Sequence, residues 1–81
     1  MSDTLVRLAS QLADDVVKAM TEMGDDRFFT EVAQVISASS QSLEEAFLTE
    51  VRIRLTERQA RVFLDRRLAE YRAGQGTAPQ G

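Results

Sequence analysis

Seven of the ten basic side chains in this 81-residue sequence fall between Arg52 and Arg72, and all seven are arginine. A guanidinium presents a rigid fork of five donors that pairs bidentately with phosphate or carboxylate. On a helix, Arg54, Arg58, Arg61 and Arg72 lie near one direction, a stripe able to meet a phosphate backbone or an acidic protein surface. The same segment carries carboxylates one turn away. Glu50–Arg54, Glu57–Arg61, Arg61–Asp65 and Arg66–Glu70 all have i,i+4 spacing, worth about 0.2–0.5 kcal/mol each. A solvated face laced with internal ion pairs is therefore the preferred reading of the stripe. Residues 1–50 hold three basic against ten acidic side chains, a balance of −7, and residues 51–81 hold seven against three, a balance of +4. An acidic front and an arginine-rich back favour an acidic protein partner, or a second copy of the chain, over nucleic acid.

Other chemistry is sparse. Asp14-Asp15, Asp25-Asp26 and Glu44-Glu45 are adjacent pairs, and helix neighbours point about 100° apart, so they do not converge as an acid–base dyad. The sequence has no histidine and no cysteine, which removes the commonest general base and the commonest metal ligands. Ser37, Ser39, Ser40 and Ser42 have no base at a defined spacing to activate them. No glycine-rich phosphate loop and no calcium loop is present. No catalytic residue, metal site or cofactor is expected.

The elements that position these groups read as helices. Ser2 or Asp3 can cap a first helix whose apolar stripe is Leu5, Leu8, Ala9, Leu12, Val16, Ala19, Met20 and Met23. Gly24 fits the left-handed position that ends it. Asp25 or Asp26 can cap a second, shorter helix with Phe28, Phe29, Val32, Val35 and Ile36 on its face, running into the serine-rich loop. Ser42 and Glu45 have capping-box spacing for a third helix. Its first apolar face is Leu43, Ala46, Phe47 and Val51, and its second is Ala60, Phe63, Leu64, Leu68 and Tyr71, roughly 100° away. Between them Glu50 to Leu55 alternates charged and apolar residues like a half-buried strand, but no partner strand exists elsewhere in the chain. Thr56 to Gln59 is a second capping-box match, so the helix either breaks there or runs unbroken from Leu43 to Ala73. The unbroken helix is preferred, because no glycine or proline lies between Ser42 and Gly74. It would be about 46 Å long against about 31 Å for the first helix. Residues 74–81 read as a flexible tail.

The segment Leu55-Thr56-Glu57-Arg58-Gln59-Ala60-Arg61-Val62-Phe63-Leu64 resembles the opening helix of the helix-turn-helix in sigma-factor region 4 and LuxR-type regulators. In those families a turn and a groove-reading recognition helix follow. Here no such element follows in residues 65–81, so the resemblance does not carry DNA reading with it.

The expected object is all-α: a small helical bundle of two shorter helices and a long C-terminal helix in one domain, residues 1–73, completed by homodimerisation. No apolar run reaches the roughly 20 residues of a membrane span, and no signal peptide is legible, so the expected location is cytoplasmic. The expected function is a non-catalytic interaction module, a small adaptor, regulator or assembly factor. Its expected interface is Phe47, Val51, Ile53, Leu55, Phe63, Leu64, Leu68 and Tyr71, flanked by Arg54, Arg58, Arg61 and Arg72. The alternative is a regulator that binds nucleic acid through Arg52, Arg54, Arg58, Arg61, Arg66, Arg67 and Arg72.

Overall fold

The computed structural model describes residues 2–77. Within them the chain forms α1 (Asp3–Met23), α2 (Phe28–Ser37) and α3 (Gln41–Thr77), with no strand. The alternating stretch Glu50 to Leu55 is helical, and Thr56 lies inside α3. The unbroken form of the long helix is the one observed.

Local chemistry sets the helix ends. The Leu5 amide donates to Ser2 Oγ at 3.1 Å, and Gly24 closes α1 at φ 65°, ψ 31°, its N–H donating to the Met20 carbonyl. Two expected caps shift. At α2 the cap position is Arg27, which makes no side-chain cap bond, while Asp25 Oδ1 accepts the Arg27 amide at 2.9 Å in an Asx turn. At α3 the cap is Ser40, whose Oγ accepts the Leu43 amide at 3.1 Å. With Ser40 as cap, Ser42 falls in the first turn and leucine occupies the third position, so the Ser42–Glu45 box does not form. The last turn also differs. Gly74 follows with no break, because a glycine inside a helix weakens it without stopping it, and α3 continues to Thr77. Residues 78–81 of the expected tail lie outside the described residues.

The chain folds up, down, up. Arg54 reaches Ser10 and Asp14, and Arg58 reaches Thr21, so rising numbers on α1 track rising numbers on α3 and the two helices run parallel. α2 is the return stroke between them. The core is small: Ala13, Val16, Val17 and Met20 from α1, Ala33 from α2, and Phe47 and Val51 from α3. Leu12, Phe28, Phe29, Val32, Ile36, Leu48 and Leu55 pack around it. The buried stripe of α1 is rotated from the expected one. Leu8 and Met23 are half exposed, while Ala9 and Ala13 are fully buried. Alanine leaves room for close helix approach, so the seam centres on Ala9 and Ala13 with Val16, Val17 and Met20, and Leu12 packs at its edge.

Gly24 is the one described position with positive φ. Gly24→Ala should lose about 1 kcal/mol, because a Cβ is strained in the left-handed region. Gly74→Ala has open space around it and should add helicity, since glycine is worth up to about 1 kcal/mol less than alanine inside a helix. Urea titration checks the first, and the circular dichroism of the native chain checks the second.

Candidate functional site

α3 is about 55 Å long at 1.5 Å per residue, and only its first half is covered. Every residue from Thr56 to Gln75 is exposed. The top of α1 reaches the level of Arg58 through Thr21, and past Ala60 the helix stands alone as an arm. The chain is correspondingly elongated, with extents of 65 × 28 × 14 Å and a radius of gyration of 18.3 Å. A compact domain of this length has a radius of about 12 Å.

α3 has two apolar faces. Phe47, Val51 and Leu55 turn toward α1 and α2. Ile53, Ala60, Leu64 and Tyr71 lie about 160° round the helix axis at 100° per residue. Ile53, Phe63, Leu64, Leu68 and Tyr71 are all exposed, Phe63 to 55%. A shallow, largely apolar depression on this outer face is lined by Thr49, Arg52, Ile53, Thr56, Glu57 and Ala60. It lies on α3 alone and continues into the arm.

The expected interface therefore divides. Phe47 and Val51 are fully buried in the chain's own core, and Leu55 packs against it. They are unavailable to a partner, because the first half of α3 supplies the core and not the contact surface. Ile53, Phe63, Leu64, Leu68 and Tyr71 remain on the surface together. Ala60 was absent from the expected set. Its signal is its position on the same stripe, midway between Ile53 and Leu68.

The arginines divide as well. Arg54 donates through Nε to Asp14 Oδ1 at 2.6 Å, through Nη1 to the Glu50 carbonyl and Oε1, both at 2.8 Å, and through Nη2 to the Ser10 carbonyl and Oγ at 3.2 and 2.8 Å. Those acceptors match the five N–H groups of a guanidinium, so Arg54 is a clasp between α1 and α3 with nothing left for a partner. Arg58 donates to Thr21 Oγ1 at 3.0 Å. Arg61 pairs with Glu57, and Arg67 with Glu70. Among the described residues Arg66 makes no carboxylate pair and instead lies over the Phe63 ring, 5.7 Å from its centroid. Among the described residues Arg52 and Arg72 make no ion pair.

The Arg54 clasp shifts its own groups. The hydrogen bond from Arg54, assisted by its charge and that of Lys18, holds the Asp14 carboxyl below the usual carboxylate value of 3.8 against a smaller opposing effect of burial. The bonds to Asp14 and Glu50 raise Arg54 above its ordinary value, and the Glu57 bond does the same for Arg61. The folded chain binds the Asp14 proton less tightly than the unfolded chain does. The stability this contributes is present above pH 3.8 and is lost as pH falls below it, through the folded value. Asp14→Asn should flatten the fall in melting temperature just below pH 4, as acid titration of both proteins would show.

No three potential metal-ligating side chains cluster among the described residues, and no helix there is long and apolar enough to cross a membrane. In the groove between α1 and α3, both Asp14 and Glu50 are engaged by Arg54. No protein family, curated protein or solved structure matches this chain.

Proposed function

We propose that this chain is a non-catalytic, cytoplasmic protein–protein interaction module, an adaptor, regulator or assembly factor, that works through the outer face of α3. The carrying observation is the exposed apolar stripe Ile53, Phe63, Leu64, Leu68 and Tyr71, which begins beside the α1–α3 groove and runs out along the arm. Apolar surface of this kind, rimmed by charge, is where proteins bind one another. The bundle's part is to hold the arm out. Arg52 and Arg72 flank the stripe and would steer an acidic partner more than they add affinity.

The arginine geometry favours a protein over nucleic acid. Arg54 is saturated by its five acceptors, and Glu57, Asp65 and Glu70 set negative charge among the remaining arginines, which weakens the field a phosphate backbone would meet. The test is affinity capture from the host with the native chain and with Leu64→Glu, identifying bound protein and nucleic acid. Proteins, further copies of the chain included, that are lost with Leu64→Glu support the reading. Capture indifferent to Leu64, or captured nucleic acid that dissociates steeply with salt, overturns it.

A further inference from the structure

The outer face of α3 has a finer pattern than a stripe. Ile53, Glu57, Ala60, Leu64, Arg67 and Tyr71 are spaced 4, 3, 4, 3, 4, the alternation of a coiled-coil seam. All six are exposed. Two of the six are charged, and their positions decide what can lie against the seam. A second copy in parallel would set Glu57 against Glu57 and Arg67 against Arg67. A second copy in antiparallel, with the two-fold axis near Val62, sets Ile53 against Tyr71, Glu57 against Arg67 and Ala60 against Leu64, each contact made twice. Phe63, beside the seam, then meets its own copy near the axis. The seam complements itself in one orientation and repels itself in the other.

Area points the same way. The chain exposes 6157 Å², whereas a compact monomer of its 9.1 kDa mass exposes about 4,900 Å². The excess of about 1,300 Å² exceeds the roughly 800 Å² that each partner gives to a standard interface. Access is open too, because α1 and α2 cover the opposite side of α3. The Glu57–Arg61 and Arg67–Glu70 pairs of the single chain are exposed and weak, so they can yield to the intermolecular pairs.

We infer that the outer face of α3 binds a second copy of this chain as an antiparallel helix pair, with Glu57 and Arg67 as the charges that set orientation. This rests on the interaction reading above and names its partner. Light scattering at about 100 μM should give twice the 9.1 kDa chain mass. Glu57→Arg places like charges in both polar layers and should weaken association at least tenfold, and adding Arg67→Glu should restore it. The absence of native cysteine makes orientation directly readable. Ile53→Cys and Tyr71→Cys proteins, mixed and oxidised, should form mainly the mixed disulfide. Each variant forming its own homodisulfide would show a parallel pair and overturn the inference. A monomer at 100 μM would also overturn it. That result leaves the interaction reading to the Leu64→Glu capture, so the two can fail separately.

Discussion

Phe47→Ala should leave the chain without a cooperative fold at physiological temperature. Phe47 is fully buried, and with Val51 it is the largest side chain so enclosed. Truncating a buried phenylalanine costs about 3–5 kcal/mol, the lost transfer energy plus the cavity. A domain of this length has roughly 4–12 kcal/mol in total, at 0.05–0.15 kcal/mol per residue, and with so few buried residues this one should sit at the low end. The matched control is Phe63→Ala. That ring is more than half exposed, so at a concentration where the native chain is monomeric its loss should leave the bundle's urea midpoint nearly unchanged, while at higher concentration it weakens association. Equal destabilisation by the two variants would contradict the division of α3 into a core half and a contact half.

The second large effect concerns the arm. If the chain pairs through its arm as inferred, backbone amides beyond about Phe63 should exchange with solvent at least tenfold faster in Glu57→Arg, held at a concentration where it no longer pairs, than in the native chain, while those around Val51 keep the protection of the global fold. Isolated helices of about this length are marginal in water. The bundle supplies a nucleated helix, so the arm should fray from its C-terminal end instead of melting all at once. Little within it resists. Its ion pairs Glu57–Arg61 and Arg67–Glu70 are worth about 0.2–0.5 kcal/mol each, and Gly74 offsets them. Hydrogen exchange read by mass spectrometry on both proteins decides this. An arm equally protected in both proteins would mean that it needs no partner.

Much of the fold was legible because it rests on local chemistry. The Ser2 cap, the Gly24 stop and the absence of breakers after Ser42 act within a few residues, and all three hold in the structure. The caps of α2 and α3 were misplaced because serine and aspartate clusters offer several equivalent registers. Only packing selects Ser40 over Ser42. The α1 seam was legible in Ala9, Val16 and Met20 but not in Ala13 and Val17, because leucine spacing weighs size, whereas close parallel packing also favours small residues. The candidate surface was half legible. Periodicity revealed two faces on α3 but could not say which would be covered, since that depends on how far α1 reaches. Arg54 shows the limit most clearly. In sequence it is one of seven similar arginines, and only the nearness of Ser10 and Asp14, some forty residues away, makes it a clasp.

The unbroken course of α3 also restricts how this chain can change length. The core face and the outer face share one helical phase, so inserting a single residue between Val51 and Ala60 would turn the arm by about 100° and carry the outer face round toward the side. Seven inserted residues fall only about 20° short of two full turns. They would keep the phase and move the arm outward by about 10 Å. Insertions just before Ala60 should therefore be tolerated seven residues at a time and rejected singly, as in a gear whose teeth must stay in step, whereas a seven-residue deletion in this stretch would take the Arg54 clasp or Leu55 with it.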